Sequence, residues 1–234
     1  MDRTEVIQAI VDATKAREYL EIGVNKGDNF IPIRVRRKTG VDPFMDLDSE
    51  TPLGAIAARG WRFFSPSVEF CQCTSDSYFA GPGTRRRFDV IFVDGLHTYE
   101  QSLRDALNSL EHLKEGGAIV MHDCNPPTES AAHPASSLEA ADDMQLPGWT
   151  GEWCGDVWKT ACFLRSQRHD VDMFVLDCDY GVGVITKRKA RNPLSLEMAG
   201  LEAMTYADLA ESRERLLDLR DPSFLSEFLS SDLR

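Results

Sequence analysis

The chain has 234 residues, 42% of them hydrophobic and 27% charged, enough for a single globular domain with a substantial core. Its formal net charge of -12 opposes general binding to nucleic acid or to anionic membranes. No apolar run is long enough to cross a bilayer, and the start Met1-Asp2-Arg3-Thr4-Glu5 lacks the basic end and apolar stretch of a signal peptide, so a cytoplasmic protein is expected.

In chain order, residues 4–17 place Val6, Ile7, Ile10, Val11 and Ala13 at helical spacing. Residues 19–23 read as a first strand and 29–37 as the helix after it, with Pro32 tolerated only in the first turn. A short second strand follows at 39–42, helical character at 54–59, and a third strand at 68–73 that puts Cys71 and Cys73 on one face. Residues 88–94 are almost continuously apolar, the mark of a central parallel strand buried on both faces. Residues 99–113 carry Leu103, Ala106, Leu107, Leu110 and Leu113 at helical spacing, with Gly116-Gly117 as the stop signal and a fifth strand at 118–121. This alternation predicts an α/β, doubly wound sheet with helices on both faces.

The pattern then changes. Residues 125–154 are rich in Pro, Ser, Ala and Asp, as expected of a lid or binding loop. Residues 148–158 contain Trp149, Trp153 and Trp158, to stack on an apolar sugar face or to pack a core under the loop. A helix near 157–165 precedes strand-like runs at 173–176 and 182–185, whose short connection implies a hairpin and an antiparallel last strand. From Pro193 the chain reads as helical and acidic, with Thr205-Tyr206-Ala207-Asp208 as a cap, and Leu209, Leu216 and Leu217 need a cover. The six cysteines lack zinc-ribbon spacing and are expected as free thiols. Two basic clusters, at 34–38 and 85–87, are expected to be solvated surface.

Ligands of doubly wound sheets bind beyond the carboxyl ends of the strands. The first strand here runs into Glu21-Ile22-Gly23-Val24-Asn25-Lys26-Gly27, where Gly23 permits close approach of a ligand and Gly27 a tight turn. Asn25 stands where the dinucleotide GxGxxG motif has its middle glycine, which disfavours a nicotinamide oxidoreductase. Asp42 lies where an acid would bond ribose hydroxyls, or else opens a turn before Pro43. Ser75 and Asp76 follow the third strand, where an adenine edge would lie. Such an acidic rim suits a sulfonium cation, as in S-adenosylmethionine, better than an anionic pyrophosphate.

The segments Tyr-Leu-Glu-Ile-Gly-Val-Asn-Lys-Gly, Gly-Val-Asp-Pro, Phe-Val-Asp-Gly-Leu-His-Thr-Tyr-Glu, Gly-Gly-Ala-Ile-Val-Met-His-Asp and Asp-Tyr-Gly-Val-Gly-Val-Ile resemble class I S-adenosylmethionine-dependent methyltransferases, in the group that includes macrolide-sugar O-methyltransferases. The resemblance spans residues 18–187. It implies a Rossmann-like, mostly parallel sheet of seven strands with a reversed last strand, and it places Glu21, Gly23, Asp42 and Asp76 at the cofactor. Asn25, Gly27, Ser75 and Asp94 complete the expected cofactor-binding set.

Asp94 and Asp123 end the fourth and fifth strands, and if these are neighbours both carboxylates share one edge. Two close anions need a proton or a cation between them, and oxygen ligands suit Mg²⁺ or Mn²⁺; otherwise both are helix caps. The resemblance implies that Asp94 binds metal and that His97, three residues on, is the general base, whereas a structural His97 would bond Tyr99 or Glu100. Metal-dependent relatives tend to carry two adjacent ligands after the fifth strand; here His122 and Cys124 flank Asp123, and His122 is a third candidate ligand through nitrogen. The expectation is a methyltransferase domain at 1–190 with an acceptor-side loop at 125–156 and a helical tail at 191–234, which docks on its own domain or pairs with a second copy. It would act on a hydroxyl of a sugar or other small metabolite; the remaining alternative is a ligand-binding protein that lost the reaction.

Overall fold

A computed structural model of the chain describes residues 1–47 and 67–231. The helical character expected at 54–59 lies outside the described residues. The strands are β1 (Glu18–Ile22), β2 (Arg37–Val41), β3 (Val68–Cys71), β4 (Phe88–Val93), β5 (Leu113–Met121), β6 (Asp172–Leu176), β7 (Val182–Thr186) and β8 (Leu219–Arg220). They form one sheet in the order β3-β2-β1-β4-β5-β7-β6-β8. β7 is antiparallel to both β5 and β6, as the hairpin signal predicts, and the other pairs are parallel. The eighth strand exceeds the seven expected. Its two residues come from the C-terminal segment, which pairs with β6 instead of standing off as helix alone.

Alternation along the central strands builds two apolar layers. Leu20, Ile22, Ile91, Val93, Ile119 and Met121 point to one face. They meet Ala106 and Leu110 of α3 (Tyr99–His112), Trp158 and Ala161 of α5 (Trp158–Gln167), and Leu209 and Leu216 of α7 (Tyr206–Leu217). Tyr19, Val90, Phe92 and Val120 point the other way, onto Val6, Ile7 and Ile10 of α1 (Arg3–Thr14) and Leu225 and Phe228 of α8 (Phe224–Ser231). Among the described residues three short helices complete the set: α2 (Ser75–Ala80), α4 (Leu138–Asp143) and α6 (Met198–Ala203). Leu209, Leu216 and Leu217 of the tail are thus covered within the chain and fully buried.

The helix expected at 29–37 does not form, and the segment runs in turns. Pro32 supplies no amide, and the carbonyls of Phe30, Ile31 and Ile33 accept from Lys38 Nζ at 2.7, 2.9 and 3.1 Å, so a side chain takes the place of helical donors. Lys38, expected on the surface, is therefore buried. Both basic clusters converge at the amino-terminal edge of the sheet around a cavity of about 460 Å³, where Arg86 pairs with Glu69 at 2.7 Å and Arg37 with Glu18. Gly116 and Gly117 do not end α3, which stops at His112; they lie within β5, and a Cβ on Gly117 would stand 2.4 Å from the Asp89 carbonyl. β3 stops at Cys71, so Cys73 lies beyond the strand, and none of the six cysteines is in a disulfide. Among the described residues no helix is long and apolar enough to cross a membrane.

Candidate active site

The carboxyl ends of β1, β2 and β4 meet around the turn after β1. Gly23 has φ +86°, and a Cβ there would sit 1.8 Å from the Asp94 carbonyl oxygen, so only glycine lets the two strand tips approach this closely. Gly27 is also left-handed, with a would-be Cβ 2.6 Å from Leu47. Asp42 ties this turn to β2. Its Oδ2 accepts from the Asn25 amide at 2.8 Å and its Oδ1 from the Phe44 amide at 2.7 Å. Asn25 itself is left-handed and exposed.

Glu21 is turned into the protein. Its Oε2 accepts from the Tyr19 hydroxyl at 2.5 Å and from Asn29 Nδ2 at 2.9 Å, and burial raises its carboxyl to about 8 despite those bonds. Near neutral pH it is mostly protonated and adds little negative charge to the rim. Ser75 and Asp76 open α2 after its cap Thr74; Ser75 is buried and accepts from Gln101 Nε2 at 3.2 Å, while Asp76 is exposed beside Arg104. Behind them Asp105 is buried, and burial raises it to about 6.

The chemistry residues gather at the adjoining tips of β4 and β5, which are neighbours in register, Val93 opposite Met121. His97 Nε2 lies 3.4 Å from Asp94 Oδ1 and 3.2 Å from Asp123 Oδ2. On the other side His122 Nδ1 lies 3.4 Å from Asp94 Oδ1 and 3.1 Å from Asp123 Oδ2. Asp123 adopts a left-handed conformation, φ +59°, because the next two amides bond the 180–181 turn: Cys124 N to Gly181 O and Asn125 N to Tyr180 O. Its Oδ2 is buried and, with two imidazoles nearby, still accepts no aligned hydrogen bond.

His97 Nδ1 lies 2.7 Å from the Trp153 carbonyl, which can only accept, so Nδ1 carries hydrogen and Nε2 faces the carboxylates. Arg3 Nη1 stands 2.9 Å and Asp179 Oδ1 3.5 Å from His122 Nε2. Burial opposes the charge of His122, and the surrounding carboxylates outweigh it and raise the ring. For His97, burial opposes the charged form, but Asp123 and Asp94 outweigh it and raise the ring to about 9. Burial likewise works against the Asp94 charge, and the two imidazoles reverse this, holding it well below the ordinary carboxylate range.

Several contributors carry no local sequence motif. Arg3 reaches the site from α1, its amide and guanidinium donating to Asp179, whose carboxylate is lowered to about 2 chiefly by the His122 bond. Trp153 holds His97 by its carbonyl and packs its ring 5.3 Å from the imidazole. Gly155 approaches so closely that a Cβ would lie 1.8 Å from the His97 carbonyl. Asp156 caps the Tyr99 amide at 2.7 Å. The 125–156 segment is braced at its start by α7, with Arg213 on the Pro126 carbonyl and Tyr206 on that of Pro127. Of the three tryptophans, Trp153 flanks the site and Trp158 lies in the core.

Residues 20–124 match the family model described as a methyltransferase domain. No curated protein matches the chain in sequence. Among solved structures, it is similar to a protein assigned as a caffeoyl-CoA O-methyltransferase from Staphylococcus aureus, with 15% identity, 80% of this chain and 84% of that one covered, and a TM-score of 0.54. An O-methyltransferase from Bacillus cereus in complex with SAH gives 15% identity, 79% and 80% coverage and a TM-score of 0.51. A SAH-bound methyltransferase from Podospora anserina gives 16%, 81% and 80%, and 0.50. Gly23 against Asp94, the reversed β7 and the family-model match over β1 to β5 agree: the chain has the fold of the class I methyltransferases.

Proposed function

We propose that the protein transfers the methyl group of S-adenosylmethionine to a hydroxyl of a small molecule, a sugar or another hydroxylated metabolite. The observation that carries this reading is the contact of the Gly23 turn with Asp94, which sets a donor held at that turn beside the Asp94–His97–Asp123 cluster. The donor supplies a methyl carbon on a positively charged sulfur that leaves as a neutral thioether, so no covalent enzyme intermediate is required.

The protein's own work is alignment and charge. Gly23 and Gly27 bring the backbone against the donor, Asp42 holds the turn in shape, and Ser75 with Asp76 lies toward the adenine end. The 125–156 segment forms the acceptor side, and alignment of hydroxyl oxygen with methyl carbon supplies much of the acceleration. Asp94 and Asp123 offer negative charge toward the sulfonium. They also fit a divalent ion, since one buried oxygen is left without an aligned donor; such an ion supplies Lewis-acid charge that eases ionisation of the acceptor hydroxyl. With its ring raised to about 9, His97 is charged near neutral pH, and its Nε2 takes the hydroxyl proton only in the neutral form.

Isothermal titration of the protein with S-adenosylmethionine and with NAD is expected to give heat only with the former. Heat with NAD alone would favour an oxidoreductase, and binding of S-adenosylmethionine without turnover on any hydroxylated acceptor would favour a ligand-binding protein.

A further inference from the structure

We propose that Arg213 and Tyr206 of α7 are positioning residues: they fix where the 125–156 segment leaves β5 and, through Ala131, seat Trp153 and Gly155 against His97. The part this plays in the reaction rests on the methyltransferase reading; the mechanical link stands on separate observations.

The first is the exit from β5. Asn125, Pro126 and Pro127 lead from the Asp123 tip into the segment, and the two prolines have no amide to donate to a backbone ladder. Side chains hold this stretch instead. Arg213 Nη1 donates to the Pro126 carbonyl at 2.8 Å and to the Asn125 side-chain oxygen. Its Nη2 donates to the Tyr206 hydroxyl at 3.1 Å, which in turn donates to the Pro127 carbonyl at 2.9 Å. The guanidinium also lies over the Tyr206 ring, 5.6 Å from its centre. From the other side Asn125 donates its amide to the Tyr180 carbonyl at 2.7 Å and Nδ2 to Asp177 at 3.0 Å. The exit is thus gripped between the 177–181 turn and α7.

The second is a break in α7. Ser212, directly before Arg213, is non-helical at φ -131° and ψ 27°, while Leu209 and Leu216 on either side stay in the core. The helix bends where it hands its guanidinium to the exit of β5. The third is continuity. The Thr128 hydroxyl accepts from the Ala131 amide at 3.1 Å, and the Ala131 carbonyl accepts from the amides of Cys154 and Gly155 at 2.8 and 3.0 Å. Trp153 Nε1 donates to the His133 carbonyl at 2.9 Å, and the Trp153 carbonyl faces His97 Nδ1 at 2.7 Å. From Pro126 to His97 each step is a short stretch of chain or a hydrogen bond, so a shift at the exit reaches the imidazole. The donor turn follows β1, which β4 separates from β5, and should be spared.

The test is iodoacetamide labelling of the whole protein, read cysteine by cysteine by mass spectrometry. Cys154 is 1% exposed within the segment, and Cys162 is fully buried with its thiol 3.8 Å from the Leu216 carbonyl of α7. Arg213→Met should raise Cys154 labelling about tenfold, as loss of charged-donor hydrogen bonds opens the segment, with Cys162 still protected. Tyr206→Phe, which loses only the hydroxyl bonds, should raise it about threefold. Arg213→Lys, which can still reach one carbonyl, should fall between wild type and Arg213→Met. In ¹H–¹⁵N spectra the Trp153 indole signal should shift in Arg213→Met and that of Trp158 should not. Labelling of both cysteines would mean that Arg213 only holds α7 to the core, and labelling of neither that the segment stands without it; each overturns the proposal. Should Arg213→Met not fold, the contrast between the two cysteines in Tyr206→Phe decides. Both variants should bind S-adenosylmethionine as wild type does, and weaker binding would overturn the confinement to the acceptor side. If wild type itself does not bind it, the methyltransferase reading falls, and the labelling still decides the link.

Discussion

At the carboxyl end of the sheet, ionisable groups are crowded, buried and incompletely paired; at the amino end they are paired and largely spent. Asp94, His97, His122 and Asp123 share contacts of 3.1 to 3.4 Å, and one buried carboxylate oxygen accepts no aligned hydrogen bond. At the other edge Arg86 meets Glu69, Arg37 meets Glu18, Lys114 meets Asp89 at 3.0 Å, and Lys38 spends its ammonium on three carbonyls. Five left-handed residues, Gly23, Asn25, Asp123, Asp179 and Tyr180, surround the first cluster. Charge left unsatisfied on strained backbone is what a reacting site needs, and charge already satisfied is what a structural edge needs.

Substitutions at the two ends should therefore differ in kind. Gly23→Ala forces a Cβ into the Asp94 carbonyl and a side chain into φ +86°; it should cost at least about 3 kcal/mol in urea unfolding and abolish S-adenosylmethionine binding. A loss under about 1 kcal/mol would mean that the strand tips can separate cheaply. Lys38→Met removes the donor of three backbone carbonyls and should cost about 2 kcal/mol at pH 7 while leaving kcat unchanged. Burial lowers the Lys38 ammonium to about 8, against an ordinary 10.5. Between those values the unfolded chain binds more protons than the folded one, so this residue makes the protein more stable as pH rises through the window. The methionine variant should lack that slope in chemical denaturation measured from pH 7.5 to 10. Arg86→Ala, a half-exposed pair with Glu69, should shift stability by only about 0.5 kcal/mol and leave turnover alone. A large fall in turnover with either variant would give the amino edge a functional part.

The sheet was legible because buried parallel strands write themselves as apolar runs. Residues 88–94 announce β4, and the short 177–181 connection announces the reversed β7. The helix expected at 29–37 failed for a reason no local pattern contains, since its carbonyls are satisfied by a lysine side chain on the next strand. Similarly, Gly116-Gly117 reads as a stop signal but serves close packing of β5 against Asp89. Asp94, His97, His122 and Asp123 were each visible as acids or imidazoles at strand ends, whereas Arg3 and Gly155 lie far from them in the chain and carry no motif.

Taken alone, the sequence determined the elements whose period and glycines are local: the α/β rhythm, the turn after β1 and the positions of acids at strand tips. Only the tertiary structure decided what stands behind each imidazole, a carbonyl from the 125–156 segment for His97 and a guanidinium from the first helix for His122. Proton placement follows from partners in space, and spacing along the chain carries no record of them.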